Sequence, residues 1–439
     1  MHSPELLAPA GTAEHLETAF AYGADAVYAG QPRYSLRVRN NSFKNITALG
    51  AGINRAHELG KQFYLVSNIA PHNDKVRSYL RDLEPVLEYR PDALIMSDPG
   101  LIMLVREKWP DQPIHLSVQA NAVNWATVEF WRRQGISRVI LSRELALDEI
   151  RDIREKVPAM ELEVFVHGAL CMAYSGRCLL SGYMNHRDAN QGACTNACRW
   201  NYKEVSHSHD QTGDLIATST NGEVQTAEPR EILLEEPNRP GSHIPAYEDE
   251  HGTYIMNSKD LRAVQHVAAL AEMGIHSLKI EGRTKSTYYV ARTTQAYRRA
   301  IDDAKGGKPF DMNLMNQLEA LSNRGYTEGF LRRHVPQEYQ NYEQGSSLNG
   351  SQQVVGTITD VDDRWLTIDV KNKFAPGDAL ELITPAGNLR FSAKTMENRN
   401  GESMNYAPGS GHIVRIPTPE QLPNSLDHSF LTRILPTGE

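Results

Sequence analysis

The sequence predicts an α/β protein, a TIM-like (β/α)8 barrel with a cysteine-bearing insertion, followed by a small all-β C-terminal domain. Three observations predict it. Eight short apolar runs alternate with amphipathic stretches through the first two-thirds of the chain. Nearly every run ends on a polar residue or a glycine, as the active face of such a barrel requires. Beyond residue 340 the hydrophobic period changes to two. A doubly wound open sheet would use the same alternation, but the runs reach eight and no Gly-x-Gly-x-x-Gly turn occurs.

The expected strands cover residues 6–8, 26–30, 63–68, 93–97, 115–119, 138–142, 162–168 and 276–282. They are short and rich in β-branched residues, as strands buried on both faces should be. Helix-like segments at 13–22, 76–89, 126–134 and 147–156 have the length of crossover helices. The strands close on Gly30, Asn68, Ser97-Asp98, Gln119, Arg143-Glu144, Gly168 and Glu281-Gly282.

This first domain spans 1–340. It includes a cysteine segment at 163–200 and a polar insertion at 204–250, which reads as a hairpin or a mobile lid. The remainder, 341–439, alternates at 354–358, 365–370 and 379–383, with turns such as Pro376-Gly377-Asp378, and reads as a small barrel or sandwich.

The chain has 439 residues, 40% of them hydrophobic, with 46 Lys+Arg against 54 Asp+Glu, a formal charge of −8. That composition excludes wholesale disorder and nucleic-acid binding through bulk charge; a local basic patch would be needed. No apolar run approaches the roughly 18 residues that span a bilayer. The start, Met1-His2-Ser3-Pro4-Glu5, shows no secretory pattern. The expectation is a cytoplasmic protein with no membrane partner.

The four cysteines, Cys171, Cys178, Cys194 and Cys198, share one short segment with spacing Cys-x6-Cys-x15-Cys-x3-Cys. In a reducing compartment clustered thiols point to a metal rather than to disulfides. Zinc ribbons use tight Cys-x2-Cys knuckles, which are absent here, and four thiolates match the corners of a [4Fe–4S] cluster. A zinc site, or a metal that merely staples the loop, stays open.

Other residues carry chemistry by position. The loop after the second strand sets Arg33, Arg37, Arg39 and Lys44 among Tyr34 and Phe43. Forked guanidinium groups suit phosphate or carboxylate, and an aromatic ring can stack on an extruded base. Lys279 and Glu281 are two apart on one strand, so they point to the same side and could pair, with Arg283 just beyond. Gln119 and Arg143 end the fifth and sixth strands, where a substrate would sit. His167 reads as a hydrogen-bonded structural residue.

The stretch from Glu163 to Ser181 resembles the signature of the collagenase-like peptidase family U-32. So do Leu7-Ala8-Pro9-Ala10-Gly11, Gly23-Ala24-Asp25-Ala26-Val27-Tyr28-Ala29-Gly30 and Ser277-Leu278-Lys279-Ile280-Glu281-Gly282-Arg283. The likeness extends over nearly the whole chain. Within the family it is greatest to members that modify tRNA, on Val118-Gln119-Ala120-Asn121-Ala122-Val123-Asn124 and Tyr254-Ile255-Met256-Asn257-Ser258-Lys259-Asp260.

The resemblance implies hydroxylation of C5 of the wobble uridine in the tRNA anticodon loop, giving 5-hydroxyuridine without dioxygen. It also implies prephenate as co-substrate, a [4Fe–4S] cluster held by Cys171, Cys178, Cys194 and Cys198, and dependence on the iron–sulfur assembly machinery. The alternatives are a collagenase-like peptidase and a non-catalytic RNA-binding metalloprotein. Against proteolysis, the chain has neither a Gly-x-Ser-x-Gly elbow nor a His-Glu-x-x-His motif.

Overall fold

The computed structural model describes residues 2–36, 43–171, 174, 177–178, 259–321, 323, 325–332, 352–423 and 425–435, and the backbone of five short strands between 207 and 254. Seven strands come in order: β1 (Glu5–Pro9), β2 (Ala26–Gly30), β3 (Gln62–Ser67), β4 (Ala93–Met96), β5 (Ile114–Leu116), β6 (Arg138–Ile140) and β7 (Glu161–Ala169). Each pairs in parallel with its predecessor. An eighth, Ser277–Ile280, pairs in parallel with both β7 and β1 and closes the barrel. Every residue of β2 and β4 is buried, as expected of strands covered on both faces.

The crossover helices are α1 (Ala13–Ala21), α2 (Ile46–Glu58), α3 (Asn73–Leu87), α4 (Pro99–Lys108), α5 (Trp125–Arg133) and α6 (Leu147–Lys156). Their starts are locally encoded. Thr12, Asn45, Asp98 and Asn124 each accept a backbone N–H from the first turn, and Pro99 supplies a preset φ behind Asp98. The long helix Thr287–Lys305, capped by Ser286, follows the closing strand.

Two strands are shorter than the sequence suggests. After Leu116 the chain enters a 3-10 turn, Val118–Ala120, which Asn121 ends in the left-handed region at φ 52°. The eighth strand stops at Ile280 because Gly282 turns away beside the Tyr289 ring. A three-residue strand, Asp260–Arg262, also pairs antiparallel with the upper end of β7. The backbone of the polar insertion forms paired strands, His207–His209 with Leu215–Ala217, and Arg230–Glu235, His243–Asp249 and Gly252–Tyr254 as an antiparallel meander.

The C-terminal part is one seven-stranded antiparallel sheet. On Trp365–Val370 and Ile413–Pro417 alternate residues are buried, and Leu366, Ile368, Val414 and Ile416 join Val355, Leu380 and Leu431 in a separate core. The described strands hydrogen-bond as one sheet, not as the two of a sandwich; a barrel is likewise built from one. The sheet seats on α1 and on Thr287–Lys305, where Tyr22 Oη donates to the Ile383 and His428 carbonyls and Arg292 meets Glu381 at 3.5 Å. Among the described residues no helix is long and apolar enough to cross a membrane.

Candidate active site at the barrel mouth

The barrel interior is charged where such barrels usually pack branched aliphatic side chains. Glu163 on β7 is fully buried, and its carboxylate lies 2.8 Å from Lys279 Nζ on the closing strand and 3.5 Å from Arg138. Arg138 reaches Glu5 at 2.7 Å, and Glu5 also accepts from Tyr64 Oη at 2.6 Å and Ser277 Oγ at 2.8 Å. Buried charges are tolerated when paired and hydrogen-bonded in this way. Burial pulls the Lys279 ammonium below its ordinary range, against the opposing pull of Glu163. His115 stands against Tyr64 at 4.7 Å; burial, with Arg138 and Lys279 nearby, keeps its imidazole neutral.

Above this network the strand ends carry two further cations, Arg143 and Arg283, which share aromatic rings with Lys279. Lys279 lies 4.5 Å from the Tyr28 ring centre and 5.3 Å from that of Phe165. Arg143 lies 4.0 Å from the Phe165 ring, donates to the Ala169 carbonyl at 2.8 Å and meets Glu281 at 3.5 Å. Arg283 lies 5.7 Å from the Tyr28 ring. Two aromatic rings thus sit between cations, an arrangement that fixes the orientation of both arginines. A side chain at Gly168, φ +111°, would come within 2.6 Å of the Glu281 carbonyl oxygen, so only glycine lets β7 pass the end of the closing strand.

The structure re-pairs one expected couple. Lys279 is bridged to Glu163 and Glu281 to Arg143, because the closing strand ends at Ile280 and Glu281, beyond it, no longer shares the alternation that would set it beside Lys279. Tyr34 is also corrected. Its ring is buried against Tyr79 at 5.0 Å and its hydroxyl is held by Asp82 at 2.7 Å, so it does not offer a face for base stacking. Arg33, at φ 69°, is engaged with the same Asp82 at 2.7 Å. Lys44 is exposed. Arg37 and Arg39 lie outside the described residues.

Gln119 sits half-buried in the turn after β5, its side-chain carbonyl buried without a partner among the described residues. His167 is enclosed by Tyr289, Tyr297 and Tyr326, and burial lowers its pKa to about 3. Nothing in the sequence singled out Glu163, Arg138 or Glu5. The available signal was Glu161-x-Glu163-x-Phe165 in a run whose alternate positions face inward.

Cys171 follows β7 by two residues and is exposed at this mouth, and Cys178 is half-buried. Soft sulfur donors at the strand end fit an iron–sulfur cluster in donor chemistry. Cys194 and Cys198, the other two expected ligands, lie outside the described residues.

The model for peptidase family U32 matches residues 11–341, and that for the U32 C-terminal domain matches 350–426. The tRNA hydroxylation protein P of Escherichia coli is 61% identical, covering 99% of this chain and 97% of its own. Its namesake in Haemophilus influenzae is 57% identical over 98% and 96%. The 23S rRNA 5-hydroxycytidine C2501 synthase of Escherichia coli is 29% identical over 100% of this chain and 61% of its own length.

Proposed function

This chain belongs to peptidase family U32, and on that premise we propose that it hydroxylates tRNA, converting the wobble uridine to 5-hydroxyuridine with prephenate as co-substrate and without dioxygen. The observation that carries the reading is the near full-length match, 61% identical, to a protein named for tRNA hydroxylation. The name of the ribosomal RNA synthase, a 5-hydroxycytidine enzyme, supports C5 of a pyrimidine as the target.

A uridine turned out of the anticodon loop costs a few kcal/mol to extrude and enters an anion-attracting mouth. Arg143 and Arg283, held against aromatic rings, meet carboxylate or phosphate oxygens in forked geometry. Glu281 holds Arg143 in place, and the Glu163–Lys279 pair forms the floor beneath. Cys171, Cys178, Cys194 and Cys198 would hold a [4Fe–4S] cluster, which supplies electron transfer when bound.

The test is anaerobic purification and an iron count, followed by mass spectrometry of nucleosides from tRNA incubated with the protein and prephenate. The reading expects about four irons per chain and prephenate-dependent 5-hydroxyuridine. Iron-loaded protein that forms no hydroxylated nucleoside overturns it.

A further inference from the structure

We propose that Asn68 is a positioning residue for Arg283, acting through Leu36, and that it sets how tightly the barrel mouth holds an anionic group of the substrate. The proposal rests on reading the mouth as the RNA-modifying site. Asn68 follows β3 directly and is buried. Its side-chain carbonyl accepts the Leu36 N–H at 3.1 Å, and the Leu36 carbonyl accepts an N–H from the Arg283 guanidinium at 2.8 Å. One loop residue therefore joins the end of the third strand to the segment just past the closing strand.

Both sides of this bridge are fixed. The Asn68 amide donates to Ser117 Oγ at 3.3 Å, and its backbone carbonyl accepts from Ser97 Oγ at 3.1 Å, which ties it to the ends of β4 and β5. The loop is pinned independently of Asn68's side chain: Gln31 N–H donates to the Val66 carbonyl at 2.8 Å, Ile69 N–H donates to the Tyr34 carbonyl at 3.2 Å, and Tyr34 is held by Asp82. Removing the Asn68 amide loosens Leu36 and the guanidinium bonded to it while Tyr34 stays anchored. An amide does this without adding charge beside a cation that must meet an anion. A preset fork loses less orientational freedom when it binds.

The test is a double-mutant cycle in the holoenzyme, Asn68→Ala and Arg283→Ala singly and together, read as KM for tRNA and for prephenate, and as kcat. Asn68→Ala raises one of the two KM values about tenfold with kcat within about twofold, and adds less than about twofold in the Arg283→Ala background. Amide hydrogen exchange of Leu36 speeds up in Asn68→Ala while that of Ile69 does not. Additive effects in the cycle, or a loss confined to kcat, overturn the proposal. Unchanged exchange at Leu36 overturns the bridge itself. Wild-type holoenzyme that turns over no tRNA overturns instead the functional reading beneath it.

Discussion

Glu163 shows how one carboxylate sustains two cations away from water. It is fully buried between Lys279 and Arg138, and removing it strips Lys279 of its carboxylate at low dielectric while Arg138 keeps Glu5 at 2.7 Å. Glu163→Ala is expected to lower stability by about 3–5 kcal/mol, seen as a shifted denaturant midpoint. An unchanged midpoint would show that Lys279 finds another partner.

His167 gives a pH dependence of definite sign. Its folded pKa is about 3 against an ordinary value of 6.5, so the unfolded chain takes up a proton that the fold refuses as pH falls below 6.5. Stability contributed by neutral His167 is complete above that value and is lost on acidification, by about 2 kcal/mol between pH 6.5 and 5. His167→Gln should flatten that part of a stability–pH curve; the wild-type slope persisting in the variant would place the titration elsewhere.

At the scale of elements, β7 is the strand on which the site is built. It carries Glu163, Phe165, His167 and Gly168 and leads to Cys171. Gly168→Ala puts a methyl where the Glu281 backbone passes and holds a non-glycine residue at φ +111°. It should cost about 1–3 kcal/mol and weaken the Arg143–Glu281 contact, visible as a lower Tm together with a raised substrate KM.

Much of this scale was readable in the sequence. The continuous apolar runs of β2 and β4 announce strands buried on both faces, and the helix-like segments at 13–22 and 126–134 match α1 and α5. What escaped has physical causes. The α4 segment Gly100-Leu101-Ile102-Met103-Leu104-Val105 is apolar enough to read as strand or helix alike. Asp260–Arg262 is three residues long and is defined only by its partner β7. The Glu163 network was hidden because charge in a strand ordinarily marks a solvent face, whereas here it is neutralised across strands far apart in sequence. Tyr34 was misplaced because a polar loop gives no sign of which of its aromatic rings turns inward.

Across the whole molecule, the C-terminal sheet is joined to the barrel by buried chemistry. Glu381 binds Arg292, Gln352 at 2.5 Å and Arg390 at 3.4 Å, and Phe430 packs on Tyr288 at 5.6 Å between ring centres. Glu381→Ala leaves the buried Arg292 without its carboxylate and should destabilise the protein by about 3 kcal/mol or more. The sheet and barrel should then unfold in two steps rather than one on calorimetry. A single transition in the variant would mean that the apolar contact alone couples them.

The activity proposed for this chain is hydroxylation of tRNA at its cysteine-bearing barrel mouth. The most direct check is nucleoside mass spectrometry of total tRNA from a bacterial strain deprived of its own enzymes of this kind and supplied with this chain or with its Cys171→Ala variant. 5-hydroxyuridine or nucleosides built on it should return with the wild-type chain and stay absent with the variant. Nucleoside profiles identical to the deprived strain in both cases, with the wild-type chain folded and iron-loaded, would contradict that claim.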